Sequence, residues 1–335
     1  MCYRITSVFV EQNCTECDFS GTDSWVILSP IEQSIKRKIE AIGKPLKDWD
    51  INIYRGVLTG CNEAFIISKQ VRDEILSNCQ TPEEYDRTAA LIRPILRGRD
   101  IKRYGYEWAD LYLIATFPSR KYDIEDFPSV KKYLLSFAYQ YLIDNNNEWI
   151  AKHHLNEYCE QKLAQNGEYI IINGSYVYDE KGKKEKGRKK TSNKWFETQD
   201  SISYWEDFSK PKILWKRIGS ILRFSYVESD SLGLDSTCIA TGKHIEYLCC
   251  VLNSSMGHYL LKDAPKTGTG DLLISVQAID PIRVPPCIDD INFELLLKHQ
   301  VKGCSKELDN TIDNAIFDLY QLSAEEREYI KQLAL

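Results

Sequence analysis

The 335-residue sequence has no apolar run long enough to cross a bilayer. Its first residues also lack the basic-then-apolar layout of a secretory signal. We therefore expect a cytoplasmic protein without a membrane partner. Apolar residues make up 43% and charged residues 27% of the chain, which is ordinary for a globular protein. A chain of this length forms one large or two ordinary domains.

Motifs for metal binding and catalysis are also scarce. Among eleven cysteines, Cys14 and Cys17 form the single CxxC, and no second Cys or His pair completes a zinc site. Asp290 and Glu294 lack the lysine that a metal nuclease places two residues after its glutamate. The sequence therefore predicts no metal site and no catalytic residue. The cysteines are interpreted as small buried residues in a reducing compartment.

The net charge of −6 is unusual for a protein that binds nucleic acid, but the positive charge is clustered. Residues 181–194 hold eight Lys or Arg and one acid, which gives a local charge of +7. Tyr176, Tyr178, Trp195 and Phe196 flank this run. Cations interleaved with aromatic rings suit phosphate contact combined with base stacking. The alternative is a solvated, disordered loop.

A second basic stretch, residues 92–104 (IRPILRGRDIKRY), combines five cations with four apolar residues. Pro94 disfavours a helix before it and Gly98 frees the backbone, so we predict a strand followed by a tight turn. Arginines on such a turn present forked donors to phosphate or to a guanine edge. Asp100 is expected to hold Arg99 or Lys102. A solvated loop with a local Arg–Asp pair is the alternative.

Several blocks of the sequence resemble one known family. Residues 55–67 (RGVLTGCNEAFII) and 92–104 resemble the C-terminal specificity domain of TaqI-like adenine-specific DNA methyltransferases, which also occurs in type IIG restriction–modification polypeptides. Residues 251–264 (VLNSSMGHYLLKDA) and 311–330 (TIDNAIFDLYQLSAEEREYI) extend the likeness. It covers roughly residues 24–335 in family order, while residues 121–200 match poorly.

The resemblance implies that this chain reads a DNA target and that the chemistry lies elsewhere. An amino-methyltransferase needs an Asn/Asp/Ser-Pro-Pro-Tyr/Phe loop for the flipped base. The one Pro-Pro pair here lies in Val284-Pro285-Pro286-Cys287, which cannot do this. A Gly-rich cofactor loop is missing as well. The resemblance therefore places S-adenosylmethionine in a fused or partner methyltransferase domain and none in this chain.

The fold expected is α+β, with mixed short-strand sheets, flanking helices and a C-terminal helical segment. We predict a lead-in strand and linker helix over residues 1–48, a DNA target recognition domain over 49–286, and the helical segment over 287–335. Ser29 and Pro30 are expected to start a helix that Gly43 ends. Two short strands are expected over residues 50–67, and another over residues 224–226. Residues 208–215 resemble the strand that opens the second half of the family's domain. Ile312, Ile316 and Tyr320 form one apolar helical stripe.

The candidate site residues follow from the basic stretches and the resemblance. Those predicted to contact phosphate are Arg55, Arg97, Arg99, Lys102, Arg103, Lys183, Lys184, Lys186, Arg188, Lys189 and Lys190. Those predicted to lie near base edges or to stack on bases are Asn62, Arg99, Tyr104, Trp195 and Glu197. Phosphate contacts would supply affinity, and base contacts would supply sequence choice.

Three hypotheses remain open at this point. The chain is the recognition domain of a type IIG adenine-N6 methyltransferase whose methyltransferase or nuclease domain lies in the same or a separate chain. Alternatively, it is a free-standing specificity subunit, as in type I systems, whose tail helices dock on a separate methyltransferase. A third possibility, in line with the acidic net charge, is an interaction remnant that no longer binds DNA.

Overall fold

A computed structural model describes residues 28–145, 192–288 and 290–333. It contains helices and several small sheets, which confirms the predicted α+β fold. Within these residues, every helix is too short or too polar to cross a membrane. By its internal contacts the chain forms two compact units. Of the described residues, unit 1 comprises 28–50, 246–265 and 277–333 without 289, and unit 2 comprises 51–145, 192–245 and 266–276.

The secondary structure of the described residues is as follows. The α-helices are α1 Pro30–Ile42, α2 Asn62–Phe65, α3 Lys69–Ser77, α4 Pro82–Leu91, α5 Pro128–Asn145, α6 Ile245–Asn253, α7 Ser255–Leu260, α8 Val276–Ile279, α9 Phe293–Lys302, α10 Lys306–Leu319 and α11 Ala324–Leu333. The strands are β1 Lys44–Pro45, β2 Ile51–Arg55, β3 Ile66–Ser68, β4 Ile92–Leu96, β5 Leu111–Ile114, β6 Lys212–Lys216, β7 Ile218–Gly219, β8 Phe224–Val227, β9 Leu232–Gly233, β10 Thr237–Gly242, β11 Leu272–Leu273 and β12 Arg283–Val284. Short 3₁₀ turns cover Leu46–Asp48, Gly98–Asp100, Pro118–Arg120, Ile124–Asp126 and Trp205–Ser209.

Local sequence signals explain where unit 1 begins and ends its helices. The Ser29 side chain and Glu32 form a capping box, Pro30 occupies the first helical position, and α1 ends before Gly43 as predicted. Ile312 and Ile316 on α10 are fully buried, as is Tyr320 directly after it. The predicted apolar stripe is therefore part of the core of unit 1.

A buried carboxylate ties two helices of unit 1 together. Glu326 on α11 accepts hydrogen bonds from the Lys38 ammonium at 2.6 Å and the Ser34 hydroxyl at 2.7 Å on α1. The Ser323 backbone N–H donates to the same carboxylate at 2.7 Å. Burial acts to raise the pKa of Glu326, but these donors outweigh it, and the pKa lies below its usual value.

Two four-stranded sheets form the frame of unit 2. One has the order β2-β10-β6-β8 and is antiparallel throughout. The other has the order β3-β5-β4-β9, in which only β4 and β9 run parallel. Side chains from both sheets, such as Ile95, Leu113, Leu214 and Leu232, lie in one apolar core. The prediction of two short strands over residues 50–67 is correct for β2, but residues 62–65 form a helical turn before β3.

Strand β6 opens on a lysine that has no contact with solvent. The Lys212 ammonium donates to the backbone carbonyls of Phe208 at 2.7 Å, Ser229 at 2.5 Å and Lys210 at 3.3 Å. Burial, together with the nearby Arg93 guanidinium, lowers the pKa of Lys212 to about 8. This side chain therefore fixes two loops to the start of the strand.

Candidate nucleic-acid interface

One end of the antiparallel sheet of unit 2 carries a concentration of basic side chains. Because neighbouring strands run in opposite directions, the ends of β2 and β6 lie beside the starts of β10 and β8. Arg55 is the last residue of β2, Lys216 is the last of β6, and Arg223 directly precedes β8. The backbone N–H of Arg217 donates at 2.9 Å to the carbonyl of Ser236, which precedes β10.

The turn that bears Arg99 packs against the same end of the sheet. The Gly98 backbone N–H donates to the Ser236 hydroxyl at 3.1 Å. A Cβ at Gly98 would meet the Lys216 side chain at 3.1 Å, so glycine permits this close approach. We call Arg55, Arg99, Lys216, Arg217 and Arg223 the cationic edge. Arg99, Lys216 and Arg223 are exposed and form no salt bridge within the part of the chain that the structure describes.

The carboxylate in this turn binds a different arginine from the one expected. Asp100, which is 4% exposed, accepts from the backbone N–H of Arg97 at 2.8 Å and from its guanidinium at 3.0 and 2.8 Å. Burial would raise the pKa of Asp100, but the bonds from Arg97 hold it below its usual value. Asp100 was expected to hold Arg99 or Lys102, but its hydrogen bonds come from Arg97, and Arg99 adds only a charge attraction that also lowers the pKa of Asp100. Arg97 closes the turn, which leaves Arg99 pointing outward.

The following residues form a tight turn against β8. Tyr104 has a left-handed backbone (φ 65°) and lies between the backbones of Phe224 and Tyr226, to which it is hydrogen bonded. Its side chain is fully buried, with the Arg103 guanidinium 5.0 Å from the ring centroid. In this conformation no face of the ring is open to a base, contrary to the role predicted for it. Lys102 pairs with Glu107 at 3.0 Å.

Arg55 is held beside two carboxylates. Its carbonyl accepts from the Tyr204 hydroxyl at 2.6 Å, and its guanidinium lies 3.6 Å from the Asp235 carboxylate. Burial raises the pKa of the nearby Asp200 carboxyl. The Leu58 backbone N–H and Arg55 oppose this shift, and the charge of Asp235 adds to it.

Three further candidates lie on two segments of the same unit that backbone hydrogen bonds join. Asn62 is exposed at the start of α2, and its side-chain carbonyl accepts from Thr59 at 2.6 Å. Trp195 is half-buried and packs edge-on against Phe196. Glu197 is 6% exposed and accepts from the Lys194 backbone N–H at 2.7 Å, so its carboxylate is already engaged. Backbone bonds from Gln199 and Asp200 join this segment to the strand exit after Arg55.

The remaining predicted phosphate ligands, Lys183, Lys184, Lys186, Arg188, Lys189 and Lys190, lie outside the described residues. Within the described ranges, no three His, Cys, Asp or Glu side chains converge as a metal site would require.

The sequence interpretation missed Lys216, Arg217 and Arg223. A signal for them was present, because strands were expected within residues 208–215 and 224–226. If two consecutive strands pair as a hairpin, the residues of their connection lie at one end of the sheet. The basic residues of that connection would then have been assigned to a single surface.

The chain is similar to one protein family and to several solved structures. The family model for the TaqI-like C-terminal specificity domain matches residues 93–275. None of the curated proteins matches the sequence. Among solved structures, the type IIG restriction endonuclease BpuSI is 12% identical to this chain, with a TM-score of 0.48. The match covers 91% of this chain and 32% of the BpuSI chain. The type IIL restriction–modification enzyme MmeI, solved in complex with DNA, is 8% identical to this chain, with a TM-score of 0.47. The match covers 88% of this chain and 36% of the MmeI chain. The chain thus spans about a third of the length of these two proteins.

Proposed function

This chain belongs to the TaqI-like C-terminal specificity domains, whose family model matches more than half of its residues, and on this premise we propose that it binds double-stranded DNA and selects the target sequence. The cationic edge supplies the binding surface. The partner is a methyltransferase or nuclease part, in the same or a separate chain, which acts at the selected site.

The observation that carries the proposal is the convergence of cations from three separate segments on one end of a sheet. Arg55, Arg99 and the connection with Lys216, Arg217 and Arg223 come from segments up to about 170 residues apart in the sequence. Affinity for DNA depends on the local field facing the phosphates, so the net charge of −6 does not oppose it. The buried Arg97–Asp100 pair contributes no net charge, which leaves the edge positive.

The reaction we infer for the partner is methylation of adenine at N6 with S-adenosylmethionine. The described residues of this chain do not fit that cofactor. A cofactor loop joins a strand to a helix through glycines, whereas the glycines at 268 and 270 lie in the turn of the antiparallel hairpin between Lys266 and Leu272. We therefore propose that the methyl donor binds to the partner and that this chain contributes the choice of site.

The test measures binding of the full chain to random-sequence duplexes by fluorescence anisotropy at about 50 and about 200 mM salt. We expect binding at low salt that weakens steeply at the higher concentration. Arg99→Ala should weaken binding roughly threefold or more. It should also lower the slope of log affinity against log salt concentration by the amount that about one phosphate contact contributes. Lys69→Ala, which removes an exposed cation from the start of α3, is the matched control and should change neither.

The acidic net charge favours a second candidate, an interaction domain that no longer binds DNA. The same titration distinguishes the two. If the folded chain leaves the duplex unbound at low salt and high protein concentration, the recognition proposal fails and the interaction domain is the better description.

A further inference from the structure

One ion pair within the cationic edge differs from its surroundings. The Arg55 guanidinium lies 3.6 Å from the Asp235 carboxylate, and the two side chains are 43% and 31% exposed. This distance is longer than a hydrogen bond, so the donors of the arginine and the lone pairs of the aspartate keep their bonding capacity. Both groups are therefore able to bind a further polar partner from the solvent side.

The backbone around Asp235 is fixed from several sides. The Asp235 N–H donates to the Val57 carbonyl at 2.9 Å, and the Thr237 N–H closes a turn on the Leu234 carbonyl at 2.7 Å. A Cβ at Gly56 would lie 2.0 Å from the Leu234 carbonyl oxygen, so the two segments are in direct contact. A group held by such a scaffold loses little conformational freedom when it binds a ligand.

A carboxylate at this position works against phosphate binding, since it repels the DNA backbone. It is useful, however, against a base edge. In the major groove, guanine presents the acceptors O6 and N7, and the paired cytosine presents its N4 amine as a donor. A forked donor beside an acceptor matches this pattern, with arginine on guanine and aspartate on cytosine.

We infer that Arg55 and Asp235 together read one G·C base pair in the major groove of the target. The guanidinium donates to O6 and N7 of guanine, and the carboxylate accepts from N4 of cytosine. Arg99, Lys216, Arg217 and Arg223 hold the flanking phosphates. This inference rests on the proposed function and names one feature of the sequence that the site selects.

The test selects bound duplexes from a pool with a randomised window, using the full chain, and sequences the bound fraction. We expect one position of the wild-type motif to prefer G·C by roughly tenfold or more. Arg55→Lys keeps the positive charge but loses the fork. It should retain its affinity for random duplexes within about twofold and lose the preference at that one position.

Asp235→Asn removes the negative charge. We expect it to bind random duplexes at least as tightly as the wild type and to lose the G·C preference at the same position as Arg55→Lys. Lys216→Gln is the matched control, because it removes one charge from the cationic edge without removing a base contact. It should weaken binding to all sequences alike and leave the motif unchanged.

The inference is overturned if the motif has no G·C position, or if Arg55→Lys and Asp235→Asn select the wild-type motif. It is also overturned if they lose preference at different positions. Each of these results can be obtained only if the wild-type chain binds DNA. Absence of binding by the folded wild-type chain is a separate outcome and contradicts the proposed function itself. Circular dichroism of each variant confirms that it is folded.

Discussion

Replacing Asp100 by Asn tests whether the carboxylate both stabilises unit 2 and positions Arg99. Asp100 is 4% exposed and accepts three hydrogen bonds from Arg97. Asparagine keeps one acceptor oxygen but places an amide donor opposite the guanidinium. The variant therefore loses at least one charge-assisted hydrogen bond, which contributes about 1.5–3 kcal/mol.

Breaking a fully buried ion pair costs about 3–5 kcal/mol. Arg97 is 18% exposed and can turn toward water when its partner is lost, so the cost lies below that range. We expect the free energy of unfolding to fall by about 2–3 kcal/mol, measured by urea titration. Arg99 should also lose its fixed position, and the affinity for DNA should fall with it.

The effect depends on pH with a definite sign. The pKa of Asp100 is lowered in the folded protein from its ordinary 3.8, so its contribution is complete well above pH 3.8 and is lost as the pH falls through the folded value. The difference in the free energy of unfolding between the wild type and Asp100→Asn should therefore be constant near neutral pH and shrink below about pH 4. If the free energy of unfolding of the variant lies within about 0.5 kcal/mol of the wild-type value at pH 7, this account of the turn is refuted.

Other positions give further expectations. Lys212→Met leaves three backbone carbonyls, one of them buried, without the ammonium donor. The free energy of unfolding in urea should therefore fall by about 2–4 kcal/mol, and an unchanged midpoint would contradict the role of the ammonium. Gly56→Ala should prevent stable folding, since its Cβ would lie 2.0 Å from a backbone oxygen, whereas Gly105→Ala, with no atom within 4 Å, should be close to neutral in the same thermal melt. The lowered pKa of Glu326 means that its contribution is present above about pH 4.5 and is lost on acidification. Glu326→Gln should therefore destabilise at pH 7 and much less at pH 3, and equal losses at both values would argue against the link to Lys38.

Signals that act within a few residues were sufficient to predict much of the secondary structure. The capping box at Ser29 and the proline at position 30 start α1, and Ile312, Ile316 and Tyr320 lie in the core because their spacing places them on one helix face. Strand β8 was expected from its own residues, and a strand at the position of β6 was expected from the family resemblance. The helical turn at 62–65 was missed because such a short element has no periodicity to detect.

The different roles of the arginines in residues 92–104 could not be predicted from such local signals. Arg93, Arg97 and Arg99 follow one another in a single basic stretch. In the folded chain, Arg93 donates to the Asp230 carbonyl at 2.7 Å, Arg97 binds Asp100, and only Arg99 is exposed. The partner of Arg93 lies in a distant segment, and the choice of Arg97 over Arg99 by Asp100 depends on the conformation of the turn. Side-chain type alone contains neither kind of information.

The sequence by itself determined the fold class, the boundaries of the capped helices and the family likeness, because these depend on residue type and on spacing along one segment. The tertiary structure alone decided which cations share a surface and which side chains are buried. Arg55, Arg99, Lys216 and Asp235 meet because antiparallel pairing brings strand ends together that are far apart in the chain. That pairing is formed by backbone hydrogen bonds between segments that are distant in the sequence. For this reason only the folded structure shows it.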